Sequence, residues 1–144
     1  MKLEDIFAEW EQDSHIDRSE LGDEALRIPK LHHKYFKIFT NERLVLRKYE
    51  SELKQLKLAK HEFFTMGPTE ETYALGWKLP PQGKILRSDV NNYIEADSDV
   101  VNLTLKIGIQ QEKIGLLESI IKSFTNRGFN IKAAIDFEKF KVGA

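Results

Sequence analysis

Two apolar series with three-and-four spacing constrain this chain more than anything else in it, because only helices several turns long satisfy them. The first follows Pro29, a residue suited to the first turn of a helix, and reads Tyr35, Phe39, Leu46, Tyr49, Leu53, Leu56 and Phe63, broken at Glu42 and Lys60. It predicts a helix over 29–66, stopped by Gly67-Pro68. At 1.5 Å per residue such a helix is roughly 57 Å long, more than a compact domain of this size needs, so it is expected to find partners outside its own subunit. The second series starts after Ser98, a good N-cap, and reads Val100, Leu103, Ile107, Gln110, Ile114, Leu117, Ile121 and Phe124 up to Gly128. Leu105, Ile109, Leu116 and Ile120 widen this seam beyond one face, as expected for a helix that touches two neighbours at once.

The remaining segments are short. Leu3, Ile6, Phe7 and Trp10 share one face of an acidic N-terminal helix, and "RSELGDEALRI" reads as a second helix ending before Pro29. After Gly128, Phe129, Ile131, Ala134, Ile135 and Phe140 lie along a C-terminal helix. Residues 67–97 form a linker rich in proline and glycine, where Tyr73, Leu75, Trp77 and Leu79 alternate. That alternation allows a short β-hairpin within 72–88, closed across "PPQG". The expected fold is all-α and a single domain over 1–144, with acidic helices in 1–28, a basic helix in 29–66, the 67–97 linker and C-terminal assembly helices in 98–144.

Charge divides the chain sharply, although the net value is −1. Residues 1–26 carry nine acids and two bases, whereas residues 27–60 carry ten bases and three acids. Opposite blocks in a neutral chain point to acidic-on-basic self-association or to a local site for a polyanion. No window is apolar enough to span a membrane, and the acidic start does not read as a targeting peptide, so a cytosolic setting is expected. Without cysteine, disulfide and thiolate chemistry are excluded.

Catalytic patterns are missing. His32 and His33 are adjacent and point about 100° apart on a helix, so they do not chelate one metal as an i, i+4 pair does. His61-Glu62 lacks the second histidine of the zinc-protease helix, and no phosphate loop, dinucleotide fingerprint or nucleophile elbow is present. Glu95, Asp97 and Asp99 precede a helix start, where carboxylates favour capping. No catalytic residue, metal or cofactor is expected.

The basic helix carries the functional content. Arg43, Arg47 and Lys54 lie on one side at spacings of four and seven, and Lys57 and Lys60, next to His61, extend the neighbouring stripe, so several cations can follow a phosphate backbone. The competing reading is a solvated helix face. Phe63, Phe64, Tyr73 and Trp77 offer rings for stacking on bases, although Phe63 also fits the apolar seam.

Five pieces in order, "MKLEDI", "IPKLHHKY", "LKLAKHEFF", "EADSDVV" and "NRGFNIKAAIDFEKFKVG", resemble the UvsY family of recombination mediators from T-even-type bacteriophages. The C-terminal piece is the most specific, through Arg127-Gly128-Phe129, Ile131-Lys132, Asp136 and Phe140, while residues 67–92 match poorly. The resemblance implies a non-catalytic protein that loads a RecA-like phage recombinase onto single-stranded DNA coated by the phage single-strand-binding protein, in the cytoplasm of the infected host cell. It also implies ring-like homo-oligomers of the hexamer or heptamer class, assembled through the C-terminal region. Leu103, Ile107, Ile114, Leu117, Ile121, Phe124, Phe129, Ile131 and Phe140 are the expected assembly residues. The family's basic motif precedes an acid-aromatic-aromatic triplet, here Glu62-Phe63-Phe64, so its second basic position falls on Lys60 and its first on the apolar Leu58. Lys57 and Lys60 are therefore expected to face the strand. Two other readings stand beside this one: a helical scaffold that binds no nucleic acid, and a small metal-using enzyme acting through its histidines.

Overall fold

The computed structural model describes residues 1–143. It contains five helices, α1 (Leu3–Asp13), α2 (Leu21–Met66), α3 (Glu70–Ala74), α4 (Val90–Ala96) and α5 (Ser98–Lys141), and no strand among the described residues. The chain forms two compact units: one from Met1–Val45 and Ile109–Ala144, the other from Leu46–Gly108. Both long helices contribute to each unit.

In the first unit, α1 packs on the opening half of α2 and the closing half of α5. Ile6, Leu31, Tyr35, Leu117, Ile120 and Phe124 form the buried centre. Trp10 sets its edge against Tyr35 at 5.5 Å and against Phe124 at 5.7 Å between ring centroids. Such edge-to-face pairs contribute about 1 kcal/mol each beyond the apolar area they bury. Of the expected α1 face, Ile6 is fully buried and Trp10 half-buried, whereas Phe7 is exposed.

Three of the nine acids of the N-terminal block, Glu9, Asp13 and Glu24, are paired inside this unit. Asp13 accepts hydrogen bonds from Lys34 Nζ (2.6 Å), the Tyr35 hydroxyl (2.8 Å) and Arg27 Nη2 (2.9 Å). Burial pushes the Asp13 carboxyl up, but the Lys34 and Tyr35 hydrogen bonds and the charges of Lys34 and Arg27 outweigh it and hold the group below its ordinary value. Lys34 also reaches Glu9 at 2.6 Å. From α5, the buried Arg127 donates to the carbonyls of Asp13 (2.7 Å) and His15 (3.2 Å) and to the Glu24 carboxylate (3.1 Å). One guanidinium thus satisfies an unpaired carbonyl at the end of α1 and places a cation at the negative end of its dipole.

This clasp explains two departures from the sequence reading. The helix expected to start at Pro29 starts at Leu21 and runs through it. Pro29 gives up one hydrogen bond, normally a cost of about 3 kcal/mol in a helix interior. The bonded Glu24 and the core-packed Ile28 and Leu31 hold the flanking turns in place regardless. Likewise α5 does not stop at Gly128. The buried Arg127 and Ile131 bracket that glycine, and a Cβ there would meet Ile28 at 3.9 Å, an ordinary packing distance.

The second unit is centred on Phe63, Phe64, Ile85, Val90, Ile94 and Val100, with Trp77 and Leu79 packed against them. The hairpin expected within 72–88 does not form. Thr69 and Thr72 close a capping box that winds 70–74 into a helix turn, leaving Tyr73 and Leu75 exposed while Trp77 turns inward. Pro80 and Pro81 have no N–H to give a ladder, and the Ile85 amide bonds the Phe64 carbonyl at 2.8 Å instead. Val90–Ala96, read as linker, is helical because Val90 and Ile94, four apart, both enter the core.

Replacing Arg127 by alanine leaves the buried Glu24 carboxylate with only the more distant Arg27, at 3.7 Å, and strands two carbonyls. Denaturant unfolding is expected to show a loss of about 3–5 kcal/mol, the usual effect of removing one partner from a buried pair. A loss below about 1 kcal/mol would assign Arg127 no more weight than an ordinary surface position.

Candidate nucleic-acid interface

The second unit contains the basic stretch that the sequence singles out. Here α2 turns Leu53, Leu56, Phe63 and Phe64 toward the core, which leaves the opposite side of the helix to polar residues. Arg47, Lys48 and Lys54 are exposed on it and engage no carboxylate among the described residues. Lys106 of α5 is exposed as well, its ammonium 4.5 Å from the centre of the Tyr49 ring. Arg43, in the first unit, is exposed and rests its guanidinium 5.4 Å from the Phe39 ring.

Lys60 departs from expectation. Its side chain is only 4% exposed and its ammonium is held by Asp99 Oδ2 at 2.9 Å and Asp97 Oδ1 at 3.1 Å. The same ammonium sits 3.7 Å from the centre of the Trp77 ring. Asp97 meanwhile accepts the amides of Asp99 (3.1 Å) and Val100 (3.2 Å), so it, and not Ser98, caps α5 with its side chain. Lys60 is therefore a fixed element of the unit's interior, and the expectation that it faces a strand is corrected. A phosphate reaching it would have to displace two carboxylates and a ring.

Lys57 differs in kind. It lies 3.1 Å from Glu95, with the Lys57 side chain partly and that of Glu95 well exposed, and such surface pairs contribute little and yield readily to a competing anion. His61 is half-buried, and Leu58, at the family's first basic position, points an apolar side chain into solvent. Lys48 was not singled out by the sequence because it lies off the 43/47/54 spacing. Only its exposure reveals it. Phe63 and Phe64 are core residues and Trp77 is occupied by Lys60, so none of the three offers a free ring face for a base. Tyr73 does remain exposed.

The expected assembly residues also divide. Ile107, Leu117, Phe124 and Ile131 are buried within the chain and are not available to a neighbour, which corrects that part of the reading. Leu103, Ile114 and Ile121 are half-buried, and Phe129 and Phe140 are exposed, joined by Leu105, Ile109 and Phe137.

A cavity of about 500 Å³ lies in the second unit, lined in part by Phe63, Met66, Leu75 and Trp77. Glu62 and Glu71 on its wall disfavour phosphate. No group of three or more His, Asp or Glu side chains among the described residues is arranged to hold a metal ion, and none of the helices is long and apolar enough to cross a membrane.

Residues 9–144 match a family model described as "Recombination, repair and ssDNA binding protein UvsY". Two crystal structures of the bacteriophage T4 recombination mediator protein UvsY share the fold. The lattice type II form gives a TM-score of 0.82 at 20% identity, covering 99% of this chain and 98% of that one. The lattice type I form gives 0.81 at 19% identity, covering 95% and 98%. No curated protein matches the chain by sequence.

The division between Lys57 and Lys60 is measurable. Lys60→Ala leaves Asp97 and Asp99 without their cation and is expected to lower unfolding stability by about 3 kcal/mol, the low end for a broken buried pair since Asp99 reaches solvent. Lys57→Ala should change stability by less than about 0.5 kcal/mol. Equal effects from the two, in denaturant titrations run side by side, would contradict the assignment.

Proposed function

This chain belongs to the UvsY family, and from that premise we propose that it binds single-stranded DNA and acts as a recombination mediator. In this reading it helps a RecA-like recombinase onto a strand already covered by a single-strand-binding protein, in the cytoplasm of a phage-infected cell. It does so by binding alone, without chemistry of its own. The observation that carries the reading is the set of exposed cations on α2, Arg47, Lys48 and Lys54, which no carboxylate among the described residues neutralises. In a chain of net charge −1, cations that fold without partners are available to phosphates. Lys57 joins them once Glu95 is displaced.

Self-assembly into a ring is part of the proposal. Phe129, Phe137 and Phe140 are all exposed on α5, and rings left in water in this number favour contact with another copy. The same residues support the second reading, a scaffold that assembles without nucleic acid.

Salt separates the two readings. Titrating a fluorescent single strand should show affinity falling steeply as salt rises, because each neutralised phosphate releases counterions. Replacing Arg47, Lys48 and Lys54 by glutamine should weaken binding for every strand sequence and flatten the log–log salt slope by about 0.7 per lost contact. Stability should hold within about 0.5 kcal/mol, since none of the three is buried or paired. Unchanged affinity and slope in a folded variant would leave the scaffold reading standing.

A further inference from the structure

We infer that the first half of α2 carries a base-stacking site for single-stranded nucleic acid, formed by Phe36 with His32, with Lys30 and Lys37 on the adjoining stripe of the same helix. The inference rests on the strand-binding reading above and adds to it a contact with bases, where the cations of the second unit contact phosphates.

The local charge is the first ground. Between Glu24 and Glu42 there is no acid in seventeen consecutive residues, in a chain with 23 acids among 144. That run also holds Arg27, Lys30, Lys34 and Lys37. Arg27 and Lys34 turn inward to Asp13 and Glu9, but Lys30 and Lys37 are exposed and engage no carboxylate among the described residues. Seven residues apart, they lie two turns from each other on the same side of the helix.

The rings, with Phe36 about 100° round the helix from Lys37, are the second ground. Phe36 is 49% exposed; several other phenylalanines of this chain are exposed too, but among them it is the one that lies in the acid-free run. It is also held in place. His32, one turn earlier, stacks on it with ring centroids 5.7 Å apart and planes 12° from parallel. His32 in turn sets its edge on the buried Phe124 at 6.2 Å, and Phe36 leans on Phe39 at 6.1 Å. His32 also lines an open depression of about 430 Å³, together with Pro29 and Phe124.

A supported, half-wet ring beside cations, with no carboxylate near it in sequence, suits a ligand that carries both a flat π-face and a phosphate. Single strands offer both, while the bases of a duplex have their faces already stacked. Stacking of this kind is tolerant of sequence because every base has a face to present. An acidic protein segment, or a second copy of this chain, could also cover the patch, and the test below distinguishes these.

The full chain is titrated with two fluorescent probes of equal length, an oligothymidine and a base-free sugar-phosphate strand. Wild type should prefer the oligothymidine by about tenfold or more. Phe36→Ala should bring oligothymidine binding down to the base-free level, leaving base-free binding, salt slope and helicity unchanged. Phe36→Tyr should keep the preference. The inference is overturned if Phe36→Ala weakens both probes equally or neither, or if Phe36→Tyr also abolishes the preference. It is overturned too if Phe36→Ala lowers the sedimenting mass while the preference stays, which would make the patch a contact between copies. If wild type binds neither probe, the strand-binding reading falls and this one with it. Binding without a base preference removes this inference alone.

Discussion

A helix as long as α2 must bury one side, and on that side it carries three charges: Glu24, held by Arg127, and Glu42 and Lys60. Each is matched inside the unit that buries it. Glu42 accepts the buried Gln110 amide through both its carbonyl and its carboxylate, with Lys113 at 3.9 Å. Lys60 is held between Asp97, Asp99 and the Trp77 ring. An unmatched charge at either depth would be strongly destabilising, so these pairings select which residues of α5 lie against which turn of α2. They fix register where leucine and phenylalanine alone would tolerate a slip of one turn. The Asp97 carboxylate adds a second effect by capping α5, so one side chain both starts a helix and neutralises the lysine beside it.

The same logic accounts for the opposed charge blocks. Part of the acidic N-terminal segment is consumed within its own unit: Glu9 and Asp13 take Lys34, Asp13 takes Arg27, and Glu24 takes Arg127. Arg47, Lys48 and Lys54 remain in solvent with no acid supplied by the described residues, and the functional reading uses these together with Lys57, whose pair with Glu95 lies at the surface. In the proposed function the strand contacts thus come from what is left after internal pairing, not from the number of lysines and arginines in the run.

Much of this was legible in the residues. The end of α2 at Met66, the all-helical class and, to within one residue, the start of α5 follow from apolar spacing and from Gly67-Pro68, although the cap is Asp97 and not Ser98. The two breaks in the α2 pattern marked two of its three buried charges, Glu42 and Lys60, although their meaning needed the partner residues. Continuity through Pro29 and Gly128 was not legible, because contacts distant in sequence, Arg127 to Asp13 above all, override local helix-stopping signals. The alternation from Tyr73 to Leu79 was misleading for a related reason. It arises from one helical turn followed by an inward Trp77, and no strand partner exists for it among the described residues. Lys60 was misassigned since residue type reports charge but not depth: its neighbour Lys57 reads alike and lies at the surface.

The central claim is that strand binding uses the cations left unpaired by folding and not the charged residue held inside. Lysine acylation mapped by mass spectrometry, with and without a single strand, tests it directly. The account predicts that Lys48 and Lys54 react in the free protein and are protected by the strand, while Lys60 stays unreactive in both states. A Lys60 that reacts readily when free and becomes protected on binding, with Lys48 and Lys54 unaffected, would contradict it.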